Sequence, residues 1–81
     1  MEKFAKLYET ELGQILVKQD EGDQGAEVRI YFNAENLGVC SIGLTWQKDE
    51  PKVQWENADK AFESMTEKTA VEMVSKSLEL T

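Results

Sequence analysis

Residues 26 to 32 alternate with a period of two, Val28, Ile30 and Phe32 falling on one side and Glu27, Arg29 and Tyr31 on the other. That pattern predicts a strand with one buried and one wet face, and it commits the chain to a sheet covered on one side. Residues 39 to 46 repeat it. Cys40, Ile42, Leu44 and Trp46 share one face, and Val39, Ser41, Gly43 and Thr45 share the other. Residues 14 to 19 hold a compact run, Ile15-Leu16-Val17, that ends in the turn formers of Gln19-Asp20-Glu21-Gly22-Asp23-Gln24-Gly25. Together with 26 to 32 this segment predicts a hairpin with a long acidic tip. Residues 33 to 38 supply a second turn.

The flanks read differently. Residues 2 to 12 place Met1, Phe4, Ala5, Tyr8 and Leu12 at helical spacing, with Gly13 where a left-handed cap would stand; this predicts a short amphipathic helix, although Leu7 falls off the stripe and a strand from Phe4 to Thr10 also fits. After Pro51, the alternation of Val53 and Trp55 predicts a short fourth strand over 52 to 56. The C-terminal quarter predicts helix over 58 to 65 and again over 67 to 79, interrupted near Thr66. Ala70, Val71, Val74 and Leu78 form its apolar stripe, and both Thr66 and Thr69 are N-cap candidates. The expected architecture is α+β: an antiparallel sheet of three to four strands with the C-terminal helix, and a short N-terminal one, packed against it. At 81 residues the chain is expected to be one domain over 1 to 81, burying about 63% of its unfolded surface.

The side-chain inventory excludes much chemistry. There is no histidine and one cysteine, which removes the commonest general base and the commonest metal ligand and rules out an internal disulfide. Cys40 has no imidazole to activate it and sits on the apolar side of its strand, where a thiol behaves as a small hydrophobe. Calcium-loop spacing counted from Asp20 gives glycine at the sixth position but Gly22 at the third and Tyr31 at the twelfth, so only one requirement is met. Gly22-Asp23-Gln24-Gly25 is too acidic to cradle a phosphate and no Lys-Ser/Thr pair follows it. No pair of carboxylates stands out as an acid–base couple. The chain is therefore expected not to be an enzyme and to need no cofactor or metal.

Charge narrows the partners. A net charge of −7 from nine Lys/Arg against 16 Asp/Glu disfavours nucleic acid and anionic membranes alike. No apolar run exceeds three residues, too short for a membrane-spanning helix or the apolar part of a signal peptide, so a cytoplasmic location is expected. The remaining expectation is a small acidic domain that binds protein, as an adaptor or inhibitor, or that pairs with itself. Its contact residues are expected on the outer sheet face: Leu16, Tyr31, Val39 and Thr45, beside the small Gly43. A second reading comes from the acids. Residues 20 to 35 carry five against Arg29, and residues 49 to 67 carry six against Lys52 and Lys60. Aligned on one side, these would imitate a nucleic-acid backbone and occupy a basic groove, although the interspersed lysines weigh against it. A carboxylate-based enzyme or metal-binding domain is the least favoured reading.

Overall fold

In the computed structural model, which describes residues 5–23, 25–35 and 37–79, four strands are followed by two helices: β1 (Ala5–Thr10), β2 (Gly13–Gly22), β3 (Gly25–Ala34), β4 (Gly38–Thr45), α1 (Pro51–Ser64) and α2 (Glu67–Glu79). Each strand pairs antiparallel with the next, giving a meander in the order β1-β2-β3-β4. The α+β class and the C-terminal helical pair are those expected.

The alternation sets the layers. Val17, Ile30 and Ile42 lie opposite one another across three strands, and Val28 and Leu44 across two. Their side is the one the helices cover: Ile15, Val17, Val28, Ile30 and Phe32 are buried, packed with Ala58 and Phe62 of α1, Met65 between the helices, and Ala70 and Val74 of α2. Fully burying an aliphatic side chain of this size contributes about 1.5–3 kcal/mol, so this inner face holds the fold. Residues 67 to 79 match α2 as predicted. Of the two cap candidates the structure uses Thr66, whose Oγ1 accepts the Thr69 N–H at 3.2 Å.

Three segments differ from expectation. The tip of the β2–β3 hairpin is short rather than long, since β2 runs on to Gly22, which pairs with Gly25 at the start of β3. Residues 5 to 10 are strand, not helix, and Leu12 is in a turn; the N-terminal end of the expected helix, residues 2 to 4, lies outside the described residues. Gly13 does take a left-handed φ of 95°, but to turn β1 into β2 rather than to end a helix. Leu7 falls off the helical stripe because the real period is two. Likewise residues 52 to 56 belong to α1, with Pro51 at its first turn, where its missing N–H is no loss. Val53 and Trp55 both stay exposed, so their alternation carries no burial. The buried positions are Gln54, Ala58 and Phe62, spaced four apart along one side of the helix.

Polar contacts join the helices to the strands. The Lys6 ammonium on the inner side of β1 donates to the carbonyls of Phe62 at 2.6 Å and Met65 at 3.2 Å, placing a cation at the C-terminal end of α1, where the helix dipole favours it. Tyr8 Oη donates to the same Met65 carbonyl at 3.2 Å. At the other end of α1, Gln54 accepts the buried Ala26 N–H at 3.2 Å and donates to the Asp49 carbonyl at 2.9 Å. Gly25 makes room for this: at φ 98° a side chain is strained, and a Cβ there would fall on the Gln54 carboxamide. Gln19 of β2 donates to the Asp59 carboxylate of α1.

Candidate functional site

Because both helices lie on one side, the other side of the sheet is built from the residues of opposite parity. Leu7, Leu16, Tyr31 and Ser41 form one row across all four strands, and Ala5, Lys18, Arg29 and Gly43 the next. Leu7 is 56% exposed and Val39 72%, values uncommon for aliphatic residues that share a face. Between them, Leu16 and Tyr31 are half-buried neighbours on β2 and β3. Leu7, Leu16, Tyr31 and Val39, with Gln14 and Asn33, line a shallow depression of about 180 Å³.

Three of the four expected contact residues, Leu16, Tyr31 and Val39, are thus together. Thr45 is on the same face but apart from them. It pairs with Glu27 at the far end and borders a polar hollow with Asp23, Glu27 and Arg29. Leu7 was not among the expected residues. Its signal was the alternation of Ala5, Leu7 and Glu9, masked by the accidental helical spacing around it.

The second row is organised by Arg29. Its Nε donates to Glu27 Oε2 at 2.8 Å, Nη2 to Oε1 at 3.2 Å, and Nη1 to Ser41 Oγ at 3.0 Å. The two-point grip is the fork geometry that suits guanidinium to carboxylate. The hydrogen bond that Arg29 donates to Glu27 raises the Arg29 pKa above its already high ordinary value, against the opposing effect of burial. Gly43 is the opening that lets the guanidinium lie flat, since a Cβ there would come within 2.8 Å of Nη2. The result is a charge pair closed on itself, which gives the face polarity without a free charge at that point.

The strand residues of this face carry Lys18 and Arg29 against Glu9, Asp20 and Glu27, a net of −1, on a chain whose total is −7. The outer face is therefore close to neutral, and most of the acidity lies elsewhere. Two acids of the 20-to-35 stretch, Asp20 and Glu27, are directly opposite one another in the register, and Lys18 and Arg29 are opposite one another one row away. On this face the two acids are thus flanked by two cations, Lys18 and Arg29.

The remaining chemistry-bearing groups are placed as follows. Cys40 is half-buried on the inner face, its sulfur 3.8 Å from the Gly38 carbonyl. Asp20, the first candidate of the calcium-like spacing, accepts the N–H of its neighbour Glu21 at 2.8 Å, and no cluster of three or more metal-ligating side chains occurs among the described residues. No helix among them is long and apolar enough to cross a membrane. Comparison with protein-family models, with curated proteins and with solved structures gave no match to this chain.

Proposed function

We propose that this chain is a non-enzymatic protein-interaction domain of adaptor or inhibitor type, and that it binds through the helix-free face of its sheet. The observation that carries this reading is the exposure of Leu7 and Val39 on either side of Leu16 and Tyr31. Solvent gives no reason to place three aliphatic residues and a tyrosine together on an open sheet. A protein surface does, because aromatic and apolar side chains depleted of charge are what the centre of a contact is made of. The rim fits as well: Arg29 is held by Glu27 and Ser41, so a partner meets a rigid polar border.

The near-neutral face favours a partner recognised by shape and apolar contact rather than by opposite charge. A cytoplasmic setting is consistent with a lone cysteine and no disulfide. The test is capture of a partner by the wild-type protein and by Leu7→Glu and Tyr31→Glu, at low and moderate salt. Capture that survives the salt increase and disappears with either substitution, the fold being intact by circular dichroism, is expected. Undiminished capture by both folded variants would place the contact elsewhere. Capture that fades with salt would revive the acidic-mimic reading.

A further inference from the structure

The two edges of the sheet are unlike. β1 carries charge on both faces, Lys6 inward and Glu9 outward, and the Lys6 amine is held by α1. An inward-pointing lysine on a short edge strand is one of the devices that stop edges from pairing. β4 has none of them. From Leu37 to Trp46 there is no charged residue and no proline, and the register against β3 runs from Thr45 to Gly38 without a bulge. The strand offers Val39, Cys40, Ile42 and Leu44, yet not one of its residues is buried. Half of its backbone N–H and C=O groups point away from β3, with no strand beyond them among the described residues.

We infer that β4 is the edge through which a second copy of this chain docks, antiparallel, joining two four-stranded sheets into one of eight. Charge and closure both select a second copy. Two chains at −7 repel, and an uncharged strand lets them meet with no like charges opposed. Because β1 is blunted, β4 cannot pair with the β1 of the next copy and propagate; pairing with itself across a two-fold axis uses up both open edges and closes the assembly. That axis stands perpendicular to the sheet, so the two outer faces end on the same side. The inference does not depend on what the outer face binds, but the row from Leu7 to Ser41 would continue into the partner copy.

The test is sedimentation equilibrium from micromolar to millimolar protein, with hydrogen exchange measured at both extremes. A reversible dimer is expected, in which alternate amides of residues 38 to 45 gain protection as concentration rises. Val39→Lys should weaken it about tenfold, because the symmetry introduces the charge at two places. Leu7→Glu, on the far edge, should leave it unchanged. A monomer at every concentration overturns the inference, including one whose β4 amides are protected only by a different polypeptide. So does a dimer whose β4 amides exchange as in the monomer. A dimer lost with Leu7→Glu but kept with Val39→Lys would also overturn it, while leaving the outer face as a contact surface. If Val39→Lys fails to fold, the exchange pattern of the wild type still decides.

Discussion

Replacing Lys6 with methionine keeps an unbranched apolar stem of similar length, with sulfur in place of Cδ, and removes the ammonium. Three effects then change at the end of α1: charged hydrogen bonds to the Phe62 and Met65 carbonyls, a cation at a helix C-terminus, and a cation 4.7 Å from the Phe62 ring centre. Hydrogen bonds to a charged group contribute about 1.5–3 kcal/mol, and a terminal charge about 0.3–1 kcal/mol, but these describe the same contacts and do not add. Neither carbonyl is orphaned by the change. Phe62 still accepts the Met65 N–H at 3.3 Å, and Met65 still accepts the Tyr8 hydroxyl. The expected cost is therefore at the low end, about 1.5 kcal/mol, or a fall in Tm of about 6–12 °C for a domain of this size. Urea unfolding of Lys6→Met should show a lower midpoint with an unchanged slope. Combining it with Tyr8→Phe leaves the Met65 carbonyl without either partner, so the double variant should lose more than the sum of the two. A Lys6→Met protein within about 0.5 kcal/mol of wild type, with additive behaviour alongside Tyr8→Phe, would refute the idea that β1 anchors α1 through this amine.

Gln54→Leu should cost about 1–3 kcal/mol in urea unfolding, since it strands the buried Ala26 N–H. Thr66→Ala should cost about 1 kcal/mol through loss of the α2 cap, read in the same assay. Ile30→Ala, at the centre of the inner face, should cost about 2–5 kcal/mol. Leu7→Glu, by contrast, should stay within about 0.5 kcal/mol of wild type, because the Leu7 side chain is mostly exposed and adds little to the packing of the fold.

How much of this was legible in the sequence follows from where the aliphatic residues stand. β2, β3 and β4 put Ile15, Val17, Val28, Ile30, Ile42 and Leu44 toward the helices, and that alternation can be read directly. β1 puts Lys6, Tyr8 and Thr10 there instead. With polar residues on the covered side, the period of two is invisible, and helical spacing prevails by accident. The start of α1 failed for the mirror-image reason. Its buried stripe begins with a glutamine and an alanine, while Val53 and Trp55 face solvent, so the apolar residues mark the wrong side. In both places a polar side chain on the covered side, half-buried at Lys6 and buried at Gln54, is satisfied by a distant backbone atom and replaces the expected hydrophobe. The partners of Lys6 and Gln54 lie 56 and 28 residues away along the chain, and no local pattern announces such pairs.

The candidate face shows the same division. Leu16, Tyr31 and Val39 could be placed together because strand parity alone decides their side. Leu7 could not, because it depended on β1. Nor could the flat lie of Arg29 over Gly43, which needs the register of β3 against β4. What the sequence shows directly is the missing imidazole and the paucity of cations.

The most direct measurement is site-specific photo-crosslinking in living cells, with a photoreactive residue at position 7 on the outer face and, separately, at the exposed position 72 on α2. The account predicts a discrete protein adduct from position 7 and none from position 72. An adduct from the helix with nothing from the sheet would contradict it.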